Sequence, residues 1–320
     1  SSLTNRPFSG VGKHVYHLLQ NLAKLDKQNR YYVCYKFSRL KKYKFFEKPQ
    51  SKNFSLKIIG QPLDFFFYSK LDLFLGTDVF VPDTSRVCKL TTFHDIFVLL
   101  FEDFSSPGFR LRKAEDYKKV IQRADYFISD SECTKKDLVS YFKIPQAKIF
   151  VIHSGVSKDF YPRTPEKIRK VKEKYNLPNP YILFVGTLQK RKNLDRLYEA
   201  FLKISQNYPK PLDLVLAGGV GWGGEEFLSK VRGSSLKDRI KILGYVEEED
   251  LPALYSSAEF FFFPSLYEGF GLPILEAMAC GCPVLASNTG AIPEAAGQAA
   301  ILVDPLNIDK IRDEIDYSQA

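Results

Sequence analysis

The chain has 320 residues, 45% of them hydrophobic and 26% charged, more than one hydrophobic core usually serves, so two domains of roughly 150 residues are expected. Its longest apolar runs, such as Phe260-Phe261-Phe262-Phe263, are strand-sized and far short of the ~20 residues that cross a bilayer, and no basic-then-apolar leader is expected. The net charge of +9 is uneven: residues 1–160 carry 27 Lys and Arg against 16 Asp and Glu, the remainder 19 against 21, so the basic excess belongs to the first half.

In chain order, Val11, Val15, Leu18, Leu19, Leu22 and Leu25 recur at helical spacing over residues 10–25. They follow Ser9-Gly10-Val11-Gly12, which reads as a strand-to-helix loop whose preceding strand is expected to lie outside these residues. Tyr31–Tyr35 reads as a strand. Residues 36–48 then interleave Lys36, Arg39, Lys41, Lys42, Lys44 and Lys48 with Phe37, Leu40, Tyr43, Phe45 and Phe46. That pattern suits either an interfacial surface segment or a basic loop whose aromatics fold back into the core.

Further strands are expected at Leu56–Ile59, Val79–Val81, Lys89–Phe93, Tyr126–Ser129 and Ile149–Ile152, with helices around Leu111–Ala124 and Thr134–Tyr141. The prolines at 162, 165, 178 and 180 mark a linker. Beyond it, strands at Tyr181–Val185, Leu212–Leu216, Ile240–Leu243, Phe260–Phe263, Pro283–Ala286 and Ala300–Val303 alternate with helices near 193–206, 225–231, 248–257, 273–279 and 292–296. The alternation predicts an α/β fold of two doubly wound, Rossmann-like domains facing each other across a cleft. The boundaries are 1–157 for the first domain, 158–179 for the linker and 180–320 for the second, whose terminal helices are expected to lie beyond Ala320.

The basic first half is either a solvated face or a surface for something anionic. Cys34, Cys88, Cys133, Cys280 and Cys282 are odd in number and lack C-x-x-C spacing, which suits reduced thiols in a cytoplasmic protein rather than a disulfide framework or a zinc site.

The most informative stretch is Pro264-Ser265-Leu266-Tyr267-Glu268-Gly269-Phe270-Gly271-Leu272-Pro273-Ile274-Leu275-Glu276. It follows a very apolar strand and opens a helix at Pro273, a residue suited to a first turn. Its glycines let the backbone approach a ligand, and the free amides of a helix start favour an anion. Glu268 and Glu276 flank that start. A carboxylate beside an anion site makes sense when it bonds hydroxyls, as a ribose or hexose offers; service to the helix dipole would explain Glu268 alone.

A second constellation, Gly186-Thr187-Leu188-Gln189-Lys190-Arg191-Lys192-Asn193, follows the first strand of the second domain. Fixed cations at a strand end stabilise the charge that grows on a departing diphosphate. Third, Thr92-Phe93-His94-Asp95 ends a strand of the first half, and Gly10 and Gly12 open its first helix.

Together these stretches resemble the retaining family-four glycosyltransferases of the GT-B fold, whose E-x7-E signature is matched by Glu268 and Glu276. The resemblance extends over nearly the whole chain. It implies that Glu276 holds the nucleotide ribose and that Glu268 lies by the donor sugar. Backbone amides around Phe270, Gly271 and Leu272 then serve sugar and phosphate, and Lys192 binds the diphosphate. Thr187 stands where the family often has an arginine, which gives Arg191 or Lys190 a compensating role.

His94 would project against the donor sugar, Gly10 and Gly12 would face it, and the segment Gly244-Tyr245-Val246 would meet the base through the backbone at Val246. Ser129-Asp130-Ser131 and His153-Ser154-Gly155-Val156 also fit family positions, with structural roles.

The implied reaction is retaining transfer of a hexose, with mannose preferred, from a nucleoside diphosphate sugar to a saccharide or lipid-linked saccharide acceptor. GDP-mannose is the favoured donor because the Gly-Thr…Arg-Lys-Asn form resembles bacterial mannosyltransferases; a UDP-sugar stays open. No cofactor is expected. No Asp-x-Asp occurs in the chain, and His14 and His17 lack a third ligand, so no metal is expected either. The basic, aromatic first half suits peripheral contact with an anionic membrane at its inner face.

Gly219-Val220-Gly221-Trp222-Gly223-Gly224 matches the dinucleotide fingerprint of an NAD-dependent oxidoreductase, but the required acid about 20 residues on is misplaced, since Asp238 precedes the next strand. A sugar-nucleotide epimerase of the same fold is closer. A non-catalytic relative would be expected to have lost His94 or Glu268, and no nucleic-acid recognition motif accompanies the basic charge.

Overall fold

The structure, a computed structural model, describes residues 10–37, 49–60, 64–78 and 80–307. Contacts divide the chain into two compact units that interleave in sequence. One holds Ser1–His94, Glu115–Ile128 and Pro145–Phe150; the other holds Asp95–Ala114, Ser129–Ile144 and Val151–Ala320.

In chain order the elements begin with α1 (Gly10–Leu25), β1 (Tyr31–Lys36), β2 (Phe54–Ile59), α2 (Asp64–Tyr68), β3 (Leu73–Gly76) and β4 (Cys88–Phe93). There follow α3 (Phe97–Leu100), α4 (Pro107–Arg123), β5 (Tyr126–Ser129), α5 (Glu132–Phe142) and β6 (Ile149–Val151). β1 and β2 pair parallel, and a separate four-stranded sheet runs in the order β3-β4-β5-β6. Of the apolar residues read on α1, Val15 is buried and Leu19 and Leu22 pack with Ala23 on Val33 and Tyr35 of β1 and Phe54 of β2, while Leu25 is exposed.

Two expectations are corrected. Gly10 and Gly12 lie inside α1 rather than in a loop before it. The strand expected at Val79–Val81 is instead Leu73–Gly76, which takes the parallel register against Cys88–Thr91. Val79 is outside the described residues. Phe80 spends its ring on packing edge-on against Phe74, 6.1 Å between centroids, while Pro82 brings no amide to a ladder. Of the basic-aromatic segment 36–48, residues 38–48 also lie outside the described residues.

Beyond β6 come α6 (Pro165–Lys174), β7 (Tyr181–Val185), α7 (Leu194–Asn207), β8 (Asp213–Ala217), α8 (Gly224–Arg232) and β9 (Ile240–Gly244). The last described elements are α9 (Leu251–Ser256), β10 (Phe260–Phe263), α10 (Leu272–Ala279), β11 (Val284–Ser287), α11 (Ile292–Ala296) and β12 (Ile301–Val303). The strands make one six-stranded parallel sheet in the order β12-β11-β10-β7-β8-β9. β7, β8 and β10 are central and covered on both faces, which is why they read as unbroken apolar runs rather than as alternating ones.

The order fixes where a ligand can sit. The chain lays down β7, adds β8 and β9 on one side, then returns to place β10 on the other side of β7. The reversal falls between β7 and β10, and a doubly wound sheet opens its crevice beyond the carboxyl ends of the strands there.

The opposite, amino end of the sheet carries stability. Asp213, 1% exposed, accepts from Arg239 Nε at 2.5 Å and from Asn179 Nδ2 at 3.0 Å. Asp213→Ala strands both donors and is expected to cost about 2 kcal/mol, with Arg239 half open to water and so partly compensated. Denaturant unfolding measures it, and a loss under about 0.5 kcal/mol would contradict the assignment.

Candidate functional site

Two loops meet at the β7–β10 reversal. The first leaves β7 at Gly186 and ends in a tight 3-10 turn, Lys190–Lys192, followed by Asn193 in a left-handed conformation (φ 58°) that opens α7. Asn tolerates that backbone region better than most residues, and its side-chain amide donates to Pro305 O at 2.9 Å. The turn throws the Lys192 side chain back under the sheet. Its ammonium lies 4.6 Å from the ring centroid of Phe263, the last residue of β10, and packs against the backbone of Gly186.

The second loop, 264–271, carries Glu268. One oxygen of this carboxylate accepts from Lys192 Nζ in a very short contact, and the other lies 2.7 Å from Arg191 Nη1. All three are enclosed: Lys192 is 5% exposed and Glu268 7%. Arg191 also donates to Tyr267 O at 2.8 Å, and its guanidinium stacks 4.8 Å above the Phe97 ring.

Burial and charge act in opposite directions here. Burial would raise the Glu268 carboxyl, but Arg191 and then Lys192 outweigh it and hold the group down at about 2. Burial pulls the Lys192 ammonium down to about 8; the Glu268 charge opposes the shift and the neighbouring Arg191 adds to it. Asp95 supplies a further negative field to both cations.

Lys190, beside them, is exposed, and so is Thr187. Arg191 is therefore the second cation of the cluster.

The glycine run Gly219–Gly224 serves the same loop. Leu188 N donates to Gly219 O and Gly221 N to Leu188 O, both at 2.8 Å, and Lys190 N donates to Trp222 O at 2.9 Å. A Cβ on Gly224 would strike the Leu188 carbonyl. These glycines let two backbones close on each other, and the Gly221 amide is spent on protein, which leaves no pyrophosphate cradle of the dinucleotide kind.

The second loop is fastened at several points. Leu266 N donates to Arg191 O at 2.9 Å, Ala291 N to Glu268 O at 3.1 Å, and Ser131 Oγ to Gly269 O at 2.7 Å. Gly271 then takes φ 118°, a conformation that disfavours a side chain, and starts α10 with Leu272 and Pro273 in its first turn. Phe270 is buried. Glu276, a turn further along α10, is half-buried and accepts from Tyr255 Oη at 3.0 Å. The two glutamates thus have separate partners: Glu268 the cations, Glu276 a tyrosine of α9.

Val246 follows β9 with its side chain in the core, and Gly244 O accepts from Gly218 N at 2.7 Å. In the other unit, His94 directly follows β4 and its ring meets His14 of α1 edge-on at 4.9 Å, with Gly10 exposed and Gly12 buried at the start of that helix. The His14 contact, the Tyr255 anchor and the α5 hydroxyl on Gly269 were missed in the sequence. Only Ser131-x-x-Thr134-x-x-Asp137, one helix face, carried a signal.

Two family descriptions cover nearly the whole chain. "Glycosyltransferase Family 4" matches residues 8–160, and "Glycosyl transferases group 1" matches residues 166–318. The chain is 36% identical over 224 residues to O-antigen chain mannosyltransferase B of Escherichia coli, covering 69% of this chain and 58% of that one. It is 32% identical over 228 residues to serotype-specific mannosyltransferase WbdA of Escherichia coli, covering 68% and 28%.

The chain thus spans less than two thirds of the length of these relatives. Its fold is similar to that of HepE from Anabaena, solved in complex with UDP-glucose, with a TM-score of 0.72 at 18% identity over 97% of this chain and 86% of that one. Sucrose-phosphate synthase from Thermosynechococcus elongatus superposes with a TM-score of 0.60 at 29% identity, over 73% and 59%. By both halves of its sequence and by its fold, the chain belongs to the group 1, family 4 glycosyltransferases of the GT-B fold.

Proposed function

We propose that this protein transfers a hexose, mannose in the first instance, from a nucleoside diphosphate sugar to a saccharide or lipid-linked saccharide acceptor, with retention of configuration and without a metal ion. The observation that carries the reading is the buried Arg191–Lys192–Glu268 cluster at the β7–β10 reversal, beside the start of α10. Two fixed cations and a set of helix amides there suit the diphosphate that leaves in such a reaction.

In this reading Lys192 and Arg191 take the charge that develops on the leaving diphosphate, a task that a divalent ion performs elsewhere. Amides of Phe270, Gly271 and Leu272 serve sugar and phosphate, Glu276 holds the ribose, and Glu268 lies by the sugar hydroxyls. Val246 meets the base through its backbone. His94, Gly10 and Gly12 act from the other half of the chain on the donor sugar. A donor phosphate oxygen helps take the acceptor proton, since no side chain stands out as a covalent nucleophile.

Mannose is favoured because both Escherichia coli relatives are named mannosyltransferases, one of O-antigen chains. HepE was solved with UDP-glucose, so a UDP-sugar is the alternative donor. Among the described residues no helix is long and apolar enough to cross a membrane. The basic first half is proposed to bring the enzyme to an anionic, cytoplasmic membrane face where a lipid-linked acceptor would lie.

Lys192→Ala and Glu276→Ala are each expected to lower kcat/KM with GDP-mannose by about 100-fold or more with the fold retained, as read by circular dichroism. In the first, Glu268 keeps Arg191 as its partner, so the fold is retained. Near-normal transfer by either variant counts against the reading, and conversion of donor without acceptor would mark an epimerase.

The pH dependence has a defined sign. Lys192 titrates near 8, below its ordinary value, so its charge is full at lower pH and is lost as pH rises through that point. Affinity for GDP-mannose, measured by calorimetry, is expected to fall about tenfold from pH 7 to pH 9, and to stay flat in Lys192→Met. A flat wild-type profile contradicts the role given to this lysine.

Transfer is expected to proceed at full rate in excess EDTA. An absolute requirement for Mg2+ or Mn2+ would overturn the metal-free mechanism.

A further inference from the structure

The loop that opens α10 is held by residues remote from it in sequence. At the start of α5, Ser131 Oγ accepts from Thr134 N at 3.0 Å and donates to Gly269 O at 2.7 Å, while Thr134 Oγ1 donates to the same carbonyl at 3.2 Å. One turn on, Tyr267 Oη donates to Asp137. A single face of α5 thus grips residues 267–269.

Glu294, on α11, closes a second chain of contacts. Its carboxylate accepts from Glu132 N at 2.8 Å and Cys133 N at 3.3 Å, the first amides of α5. Its Oε1 also lies 2.7 Å from His153 Nε2. The His153 ring in turn stacks on Phe270, with centroids 5.5 Å apart and planes 21° from parallel.

We propose that Glu294 and His153 are positioning residues for the donor site. Glu294 ties the start of α5 to His153, the imidazole holds the Phe270 ring, and the α5 hydroxyls hold the Gly269 carbonyl. The Phe270 amide shares its peptide unit with the gripped carbonyl, and the Gly271 amide directly follows the held ring. The grip decides where these amides point.

This arrangement deepens the donor-binding reading above and rests on it for its ligand. It has a physical cause independent of that reading. A carboxylate placed on a helix N-terminus satisfies amides that have no partner within the helix. The same carboxylate fixes the ring orientation of the histidine, and a stacked ring pair resists the sideways slip that a glycine-flanked loop otherwise permits.

The test uses His153→Ala, Glu294→Gln and their combination. The His153 side chain is 53% exposed, so its truncation leaves no core cavity and the fold is retained. Two quantities are read: hydrogen exchange of the amides in residues 266–272, and the KM for GDP-mannose against kcat. Each single variant is expected to speed exchange in that segment and to raise KM about fivefold, with kcat within about twofold of wild type. The double variant is expected to match the singles rather than multiply them, since both residues act through one chain of contacts.

Variants that exchange like wild type overturn the proposal, and so do fully multiplicative effects. Faster exchange in the variants of a protein that binds no sugar nucleotide leaves the grip standing and overturns the donor reading alone.

Discussion

A carboxylate shared by two buried cations organises this structure. Removing three charges from water costs several kcal/mol per ion, and mutual attraction repays it only when each charge has a well-placed partner. Glu268 meets that condition for both Arg191 and Lys192 at once, one oxygen to each. The cluster keeps one positive charge in excess, moderated by the nearby carboxylate of Asp95. A sheet reversal supplies the place, and the excess charge defines what the place attracts.

The surrounding backbone explains why the cations stay there. Lys192 leaves a turn that needs Asn193 in a left-handed conformation, and the loop before it lies against a glycine run that no larger residue could replace at Gly224. Glu268 comes from a loop tied to Arg191 O, to Ala291 N and, through Gly269, to α5. Each of these three anchors is made by the backbone of the loop, which leaves the Glu268 side chain for charge. A site that must meet a transition state gains from such rigidity, because the donors need no reorganisation when charge develops.

Much of this was legible in the sequence, for physical reasons that differ by element. The strands of the second half were readable because buried parallel strands are unbroken apolar runs, as in Phe260–Phe263. The start of α10 was readable from Pro273 and the glycines before it. The absence of an arginine at Thr187 left Arg191 and Lys190 as alternatives, and the ion pair with Glu268 separates them.

What escaped was long-range pairing: nothing local marks Ser131 as the partner of Gly269, 138 residues away, or Glu294 as the partner of His153, 141 residues away. The strand at Leu73–Gly76 escaped for a related reason. Two apolar runs compete there, and only pairing with β4 decides between them.

The double tie on Glu268 also bears on how a donor would be received. In the proposed reaction a diphosphate brings two negative charges to a cluster with one positive charge in excess. Lys192 and Arg191 would divide their hydrogen bonds between phosphate and Glu268. A carboxylate shared in that way would stay enclosed, and the hydroxyl groups of a bound sugar would be neutral donors for it. In that reading one residue, Glu268, would serve both the cations and the sugar contact implied by the E-x7-E resemblance.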